Sequence, residues 1–474
     1  MNHPIARRQF FWIVLAGAAT LALALYSCVP SPRKPNIVLI LSDDHGWSQL
    51  GCYGSAFYES PNIDRLASQG MRFTNAYAAA PVCSPTRASI MTGKYPARLH
   101  LTDFIPGRRP PAGSRLAHPE WQKYLPLEEI TLAEALKKEG YATACFGKWH
   151  LSQAKTPPQS LPYNPDKQGF DAHFVTYKPV PDMAQPWQSA EDDAHNVAII
   201  TKKSLQFIEE NRQRPFFLTV SHNTIHQPLL EKKALIAKYQ AKAGADLPEN
   251  EPIIAAMLET LDTSVGRILE KLADLDLAED TIVLFYSDNG GVERDADQSP
   301  LESGKASLYE GGIRVPLIIR WPGRIAAGSI SHELVSSVDF FPTLLQATGS
   351  RQHFENLDGI SLMPVLTQSG NLTRDALYWH YPHYHSFGEG PCGAIRQGKY
   401  KLIEWYEASL LGREHQIELF DLQADIGETR NLTSRMPEKA RELRHKLQAW
   451  RSAVEAQMPT LVPASGPGTS QESR

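Results

Sequence analysis

Cys83 begins a short segment whose residue types could attack a charged ester. The segment reads Cys83-Ser84-Pro85-Thr86-Arg87, and Pro85 and Gly93 are typical of the first turn of a helix and the residue after its end. Cys83 would lie at the helix N-terminus, where free backbone N–H groups favour an anion, and Arg87 could direct its guanidinium group to the same point. This is the layout of a nucleophile beside an anion site, and a buried cysteine before an ordinary helix is the alternative.

Two pairs of oxygen-bearing side chains follow two similar apolar segments. Asp43 and Asp44 come after residues 36–41, and Asp288 and Asn289 come after residues 281–286. Ligands collect at the carboxyl ends of strands in an open α/β sheet, so neighbouring strands would bring the four side chains together. Three carboxylates and one amide oxygen favour calcium or magnesium over zinc, and calcium is preferred because it tolerates flexible oxygen shells. A loop or a helix cap is the alternative role of an isolated pair.

The elements that must position these residues alternate along most of the chain. Continuous apolar runs typical of strands buried on both faces lie at 36–41, 141–146, 215–220, 281–286 and 315–320. Helical patterns lie at 61–70, 131–139, 196–211 and 252–273. The alternation predicts an α/β fold with a mostly parallel central sheet flanked by helices.

The pattern changes after about residue 370. Short strands are predicted at 375–381, 394–396, 400–405 and 417–421, and a charged amphipathic helix follows from 437 to about 458. We therefore expect a main domain over 36–370 and a smaller α+β subdomain on an antiparallel sheet over 371–458. Residues 459–474 are rich in Pro, Ser and Gly, which predicts a disordered tail.

Composition excludes several classes of protein. The net charge is -4, and no long run of one charge sign occurs, so we expect no nucleic-acid partner. The five cysteines, at positions 28, 52, 83, 145 and 392, form no C-x-x-C pair. This argues against a disulfide scaffold and a zinc–cysteine site, although one disulfide remains open.

The N-terminus predicts export. Arg7-Arg8 precede an apolar run over residues 10–26 that ends at Ser27-Cys28, the pattern of an export signal over residues 1–28. Leu25-Tyr26-Ser27-Cys28 also resembles a lipoprotein cleavage box with Cys28 as the lipidated residue. We expect a bacterial periplasmic or outer-membrane lipoprotein that meets the membrane only through this lipid, and a retained membrane anchor is the alternative.

The segment from Cys83 to Gly93 resembles the C-x-P-x-R signature of the type I sulfatases, in the alkaline phosphatase superfamily. The resemblance extends from residue 36 to about residue 432, and it favours enzymes similar to arylsulfatase A and the N-acetylgalactosamine sulfatases. It implies that a formylglycine-generating or sulfatase-maturating enzyme converts Cys83 to formylglycine, whose hydrated aldehyde is the nucleophile. It also implies a divalent metal bound by Asp43, Asp44, Asp288 and Asn289, with residue 83 completing the shell.

Three further motifs resemble the same family. Gly147-Lys148-Trp149-His150-Leu151 implies that Lys148 binds sulfate and that His150 serves the second hydroxyl of the nucleophile. His226, in an H-x-P motif, is implied to serve the sulfate and the leaving oxygen, with His222 behind it. Lys305 would be the second sulfate-binding lysine, and Arg87 would hold charge with both lysines. In the Y-E-G-G-x-R motif, Glu310 and Arg314 would pair to fix the loop.

A histidine-rich segment and the family resemblance both bear on the substrate. The segment 379–384 suggests His380 and His383 as sugar-binding residues, with an ordinary interface between subdomains as the alternative. Together with export, the resemblance implies an aryl sulfate or sulfated carbohydrate, especially sulfated galactose or N-acetylgalactosamine units of glycans. The rival functions are a formylglycine-dependent phosphonate or phosphodiester hydrolase and a glycan-binding protein with an inactive site.

Overall fold

The predicted strands and helices are present in a computed structural model of the protein, which describes residues 33–152, 162–177 and 194–462. In chain order, the strands are β1 (Asn36–Ser42), β2 (Met71–Phe73), β3 (Ala76–Tyr77), β4 (Leu116–Ala117), β5 (Ala142–Gly147), β6 (Ala172–Val175), β7 (Phe216–Ser221), β8 (Thr281–Ser287), β9 (Leu317–Arg320), β10 (Ser329–Ser331), β11 (Val335–Ser336), β12 (Leu377–Tyr381), β13 (Cys392–Gln397), β14 (Tyr400–Trp405), β15 (Ile417–Asp421) and β16 (Thr460–Leu461).

The helices are α1 (Pro61–Ser68), α2 (Cys83–Thr92), α3 (Pro96–Leu99), α4 (Leu132–Lys138), α5 (Val197–Glu210), α6 (Lys233–Gln240), α7 (Pro252–Asp274), α8 (Glu310–Ile313), α9 (Phe340–Ala347), α10 (Met363–Leu366), α11 (Tyr406–Leu411) and α12 (Pro437–Ala453). Single 3₁₀ turns lie at Gly51–Tyr53, Pro165–Lys167 and Ser337–Asp339.

An eight-stranded sheet forms the centre of the fold, in the order β10-β2-β9-β8-β1-β7-β5-β6. Strands β8, β1, β7, β5 and β6 are parallel, and β9 runs antiparallel to both β8 and β2. The predicted mostly parallel α/β sheet is confirmed. Because β1 and β8 are direct neighbours with Ser42 opposite Ser287, the residues that follow both strands meet at one sheet edge.

Both faces of this sheet are covered, as the continuous apolar runs predicted. In β1, Ile37, Leu39 and Leu41 belong to the hydrophobic cluster on one face, which also contains residues of α2, α4 and α9. Val38 and Ile40 belong to the cluster on the other face, with residues of α1, α5, α6 and α7. Burial of side chains on both faces supplies the hydrophobic stabilisation of a parallel sheet.

A four-stranded antiparallel sheet, β12-β13-β14-β15, follows the central sheet in the chain. Leu443 and Leu447 of α12 pack on one of its faces against Ile395 and Leu402. Its other face contributes Trp379 and other residues to a cluster with Tyr77, Val82 and Ala306, which lie close in sequence to Cys83 and Lys305. The chain from Pro35 onward forms one compact unit, in which this sheet supports the region around Cys83.

The C-terminal elements end differently from the sequence pattern. Helix α12 ends at Ala453, several residues before the predicted end near 458. Within the predicted tail, Thr460 and Leu461 pair with Ala117 and Leu116 in a short antiparallel ladder. The remainder of that tail and the predicted export signal with Cys28 lie outside the described residues. Within residues 33–152, 162–177 and 194–462, no helix has the length and apolar character needed to cross a membrane.

Candidate active site

Helix α2 holds Cys83 as its first residue, as the sequence predicted. All ten residues of α2 are buried, and the helix ends before Gly93, whose φ of 69° needs a residue that tolerates left-handed backbone. The Cys83 Sγ lies 3.6 Å from Asp43 Oδ1 and 3.7 Å from Lys305 Nζ. Burial raises the pKa of the Cys83 thiol to about 12, although Lys148 and Lys305 oppose the shift, so the thiol is protonated at neutral pH.

The two polar pairs meet at the sheet edge where β1 and β8 end. The backbone N–H of Asp44 lies 3.4 Å from Asp288 Oδ1, and Asn289 Nδ2 donates to Asp44 Oδ1 at 2.8 Å. All four side chains are buried. The predicted convergence of Asp43, Asp44, Asp288 and Asn289 is therefore present in the structure.

Two buried lysines contact the aspartates. Lys148 Nζ lies 2.9 and 2.7 Å from the two Asp43 oxygens, and Lys305 Nζ lies 2.6 and 2.7 Å from the two Asp44 oxygens. Burial acts to raise the pKa of Asp44, but Lys305 and other nearby cations hold that pKa well below its usual range. Burial likewise acts to lower the pKa of Lys305, and Asp44 raises it above the usual value. Both residues are therefore ionised at neutral pH.

The donor atoms fit a divalent cation. Asp43, Asp44, Cys83 and His226 each offer one potential ligand atom, and these atoms lie within 4.8 Å of one another. Asn289 Oδ1 is also buried and accepts no hydrogen bond from the described residues. Buried carboxylates and an unpaired amide oxygen are donors that a hard cation would satisfy. The sequence analysis assigned His226 to the sulfate and the leaving oxygen and did not include it among the metal ligands.

The Arg87 side chain contacts the ends of three strands of the central sheet. Its Nε donates to Asp288 Oδ2 at 2.8 Å, and its Nη1 donates to the Lys148 carbonyl at 2.8 Å and to Ser221 Oγ at 2.6 Å. These contacts hold together the ends of β8, β5 and β7, so Arg87 positions Asp288 and Lys148. The lysine and serine contacts could not be read from the C-x-P-x-R spacing, because they depend on the order of the strands in the sheet.

The His150 side chain has a defined tautomer. Burial, with a further contribution from Lys148, lowers the pKa of His150 well below its ordinary value, so the ring is neutral. His150 Nε2 lies 2.6 Å from the carbonyl of Ile105, and a carbonyl can only accept. The proton is therefore on Nε2, and buried Nδ1 is left as an acceptor with no partner among the described residues. Such a nitrogen can take a proton.

His226 and His222 lie at different depths. His226 Nε2 lies 3.8 Å from Asp44 Oδ2, and its Nδ1 donates to the carbonyl of Gln227 at 2.7 Å. His222 is fully buried, with Nε2 3.1 Å from Ser264 Oγ of α7. Only His226 of this pair therefore reaches the acidic cluster, as the sequence analysis expected.

The two predicted sugar-binding histidines have other contacts. His380 Nδ1 lies 2.6 Å from Tyr406 Oη and Nε2 lies 3.0 Å from the carbonyl of Gln457, so both ring nitrogens have partners within the protein. His383 is fully buried, with Nε2 2.8 Å from Thr102 Oγ1. These contacts support the alternative of an internal interface. The sequence analysis did not single out His385, two residues further on; burial, with a further contribution from Lys305, lowers the pKa of His385 to about 3.

The Glu310–Arg314 pair is part of a larger buried network. Arg314 Nη1 lies 3.1 Å from Glu310 Oε2, as predicted from the motif. Lys401 Nζ of β14 lies 2.9 Å from both Glu310 Oε1 and Glu428 Oε1. The smaller sheet therefore fixes the loop that carries Lys305. No sequence motif predicts the roles of Lys401 and Glu428, because their contacts with each other and with Glu310 join elements that are far apart in the chain.

Asp103 lies in the loop before Ile105 and carries a buried carboxylate. It accepts from the Phe104 N–H at 2.9 Å and from Tyr381 Oη at 3.1 Å, and it is only 1% exposed. Burial raises its pKa from 3.8 to about 7, against the effect of these hydrogen bonds. Ionisation of the Asp103 carboxyl group therefore lowers the free energy of unfolding.

We expect an Asp103→Asn variant to have a flatter dependence of stability on pH. A carboxyl group whose pKa is raised by folding stabilises the folded state at pH values below its pKa in the unfolded chain. This stabilisation is lost as the pH rises through the pKa of the group in the folded chain. The wild-type free energy of unfolding should thus fall by about 2 kcal/mol more than that of the variant between about pH 5 and pH 8. Chemical denaturation at several pH values measures this, with exposed Asp276→Asn as the control. Parallel pH profiles of wild type and Asp103→Asn would contradict it.

Comparison with known proteins agrees with this geometry. The family model described as Sulfatase matches residues 35–350, and the one described as N-sulphoglucosamine sulphohydrolase, C-terminal, matches residues 304–453. Human arylsulfatase A is 32% identical over 467 residues, which cover 87% of this chain and 86% of that protein. Human N-acetylgalactosamine-6-sulfatase is 33% identical over 383 residues, which cover 74% of this chain and 69% of that protein.

A solved structure shows a similar fold. Ps i-CgsB in complex with k-i-k-neocarrahexaose has a TM-score of 0.73 and 26% identity, and the match covers 91% of this chain and 96% of that chain. The family match includes the ends of β1 and β8, helix α2 and the Lys305 loop. On these grounds the chain belongs to the sulfatase family and is a sulfuric ester hydrolase.

Proposed function

We propose that this enzyme hydrolyses sulfate monoesters on galactose or N-acetylgalactosamine units of glycans, with formylglycine made from Cys83 as the nucleophile. The observation that carries the proposal is the position of Cys83 at a helix N-terminus, 3.7 Å from Lys305 Nζ and 3.6 Å from Asp43 Oδ1. The sugar assignment is supported by the likeness to the enzyme named N-acetylgalactosamine-6-sulfatase and to a structure that contains a neocarrahexaose.

Charge explains the residues around the nucleophile. A sulfate monoester is an anion, so a nucleophile approaches it only where positive groups offset its charge. Lys148 and Lys305 supply two ammonium groups in a buried site, where such charges act more strongly than in water. Calcium, or magnesium as the less favoured ion, would be held by Asp43, Asp44, Asp288, Asn289 and residue 83, and it would polarise a sulfate oxygen.

The histidines would move the protons. One hydroxyl of hydrated residue 83 would attack sulfur and give its proton to Asp43, whose Oδ1 lies 3.6 Å from the Cys83 Sγ. His226 would donate a proton to the sugar oxygen as the S–O bond to the sugar breaks. The other hydroxyl then gives its proton to His150, the aldehyde re-forms, and sulfate leaves. Water adds to the aldehyde and restores the hydrate. The unpartnered Nδ1 of His150 supports its assignment as the acceptor.

The enzyme should turn over sulfate esters with a higher kcat/KM than matched phosphonate or phosphate esters. The protein would be produced in a host with a formylglycine-generating or sulfatase-maturating enzyme, and peptide mass spectrometry should show an aldehyde in place of the Cys83 thiol. An aryl sulfate and 6-O-sulfated N-acetylgalactosamine are suitable first substrates. Faster turnover of the phosphonate would assign the site to the rival hydrolase class, and binding of sulfated sugars without turnover would indicate a glycan-binding protein.

Export and lipid attachment complete the proposal. The basic and apolar pattern of residues 1–28 supports export, and the segment ending at Cys28 supports a lipid anchor. Such a protein would meet extracellular or periplasmic glycans and the maturating enzyme along its route. Metabolic labelling with a fatty acid would separate lipidation at Cys28 from export alone.

A further inference from the structure

Two exposed arginines flank one aromatic ring near the active site. The guanidinium carbon of Arg294 lies 4.1 Å from the centroid of the Phe387 ring, and that of Arg108 lies 5.9 Å from the same centroid. Arg108 also lies 5.8 Å from the ring of Phe104. We call Arg108 and Arg294 the arginine rim. Stacking on aromatic rings holds a guanidinium group in place while its N–H donors remain available.

The Arg294 side of the rim adjoins His226. Arg294 Nη2 donates to Gln227 Oε1 at 2.9 Å, and Gln227 directly follows His226 in the chain. His226 Nε2 in turn lies 3.8 Å from Asp44 Oδ2 in the acidic cluster. Arg294 is therefore hydrogen-bonded to the chain neighbour of His226, the residue proposed to protonate the leaving oxygen.

The Arg108 side of the rim adjoins His150 and residue 83. The loop that carries Phe104 and Arg108 also contains Ile105, whose carbonyl lies 2.6 Å from His150 Nε2. The Ile105 N–H donates to Ser84 Oγ at 3.0 Å, immediately after Cys83. The two arginines thus extend from two different loops, each of which contacts or adjoins residues of the candidate active site.

Phe387 is close to the Lys305 loop. A Cβ atom on Gly388 would lie only 2.2 Å from the carbonyl oxygen of Ala306, so the backbones of these two loops are in direct contact. The Phe387 N–H also donates to Nδ1 of buried His385 at 3.2 Å. The ring that supports both arginines is therefore held in place by the loop that supplies a sulfate-binding lysine.

The rim retains unused positive charge. The Arg294 side chain is 55% exposed, and its ion pair with Asp295 is long, at 3.7 Å. Asp295 is also bound by Gln227, and Glu389 accepts from Ser303 Oγ at 2.7 Å. Glu293, the neighbour of Arg294 in the chain, is exposed, and Glu302 and Asp297 lie near it. In the part of the chain that the structure describes, Arg108 donates to Ser386 and no ion pair is found for it. Each guanidinium group carries five N–H donors, so both can bind a further anion.

We propose that Arg108 and Arg294 bind a second anionic group of the substrate, beside the sulfate that is hydrolysed. The preferred substrate class would be saccharides with at least two anionic groups, where the second is a sulfate ester or a carboxylate. Guanidinium groups bind both with paired, charge-assisted hydrogen bonds. This inference rests on the proposed function and adds the substrate's charge to it.

The test compares three substrates that differ in the second anion. They are a monosulfated N-acetylgalactosamine, its disulfated form, and a disaccharide with one sulfate and one uronate carboxylate. The wild type should have a higher kcat/KM for at least one doubly charged substrate, and the advantage should shrink at high salt. The identity of that substrate distinguishes a sulfate from a carboxylate as the second group.

Arg108→Gln and Arg294→Gln should each reduce the advantage of the doubly charged substrate by about tenfold, mainly through KM. Arg324→Gln is the matched control, because Arg324 is also exposed and lies 5.8 Å from an aromatic centroid, that of Trp321, beyond the far end of β9. Thermal melting checks that each variant is folded. Equal losses of kcat/KM on all three substrates, or a wild type with no preference for a doubly charged substrate, would contradict the proposed role of the arginine rim. Absence of wild-type turnover on every sulfate ester would instead overturn the proposed function on which it rests.

Discussion

A Cys83→Ser variant is expected to fold, to retain its metal site and to lose multiple turnover. Serine is slightly smaller than cysteine, and its oxygen can occupy the N-terminus of α2 near Asp43, where the thiol lies at 3.6 Å. The hydrate of formylglycine has two hydroxyls on one carbon, one to take the sulfate and one to expel it. Serine has only the first, so its oxygen should accumulate as a sulfate ester.

The measurement is a burst assay with a reactive aryl sulfate, followed by peptide mass spectrometry. We expect at most about one equivalent of released phenol per enzyme and a sulfate ester on residue 83. Cys83→Ala should give no burst, and Cys145→Ser, a change at another buried cysteine, should keep turnover in whatever fraction folds. Mass spectrometry must also show that the host left the introduced serine unconverted. Sustained turnover by that verified variant would mean that water attacks the bound sulfate directly.

The second large effect is expected from Asp44→Asn. Asp44 contacts Lys305, and its backbone φ of 61° lies in the left-handed region, which asparagine tolerates well. The substitution therefore removes a charge without changing the backbone preference. We expect loss of bound metal and a fall in kcat/KM of at least roughly 10³-fold, because a metal supplies several kcal/mol of charge stabilisation in such sites.

The same substitution leaves buried Lys305 without its carboxylate, which should lower the free energy of unfolding by about 3 kcal/mol. Activity and metal content must therefore be measured well below the melting temperature. Asp276→Asn is the matched control, because Asp276 has a similar φ of 54° but is exposed. Chelation of the wild type should abolish activity, and added calcium should restore it. Full activity after exhaustive chelation, or stoichiometric zinc in active protein, would contradict the metal assignment.

The sequence allowed the main sheet and much of the site to be predicted, because the signals were local. Apolar runs of β type followed by Asp43-Asp44 and Asp288-Asn289 predicted both the strands and the edge where they meet. Pro85 and Gly93 bounded helix α2 for backbone reasons that depend only on these residues.

Contacts between distant segments could not be predicted in the same way. The partners of Arg87 depend on strand order, and the burial of His380 depends on where β12 packs against Tyr406. Lys401 and Glu428 contact Glu310 only because the smaller sheet docks beside the Lys305 loop. Such contacts follow from tertiary packing, which leaves no local periodicity in the chain.

The complete burial of α2 would set the order of events for the proposed conversion of Cys83 to formylglycine. Cys83 is 1% exposed in the folded chain, so a modifying enzyme could not reach its side chain without opening the surrounding structure. Lys401 and Glu428, which fix the Lys305 loop, also emerge from the ribosome more than 300 residues after Cys83. The chain therefore offers a long interval in which the cysteine segment is exposed but the catalytic pocket is incomplete. Formylglycine would form during that interval. In a protein that folded before the modification, residue 83 would stay an unmodified cysteine.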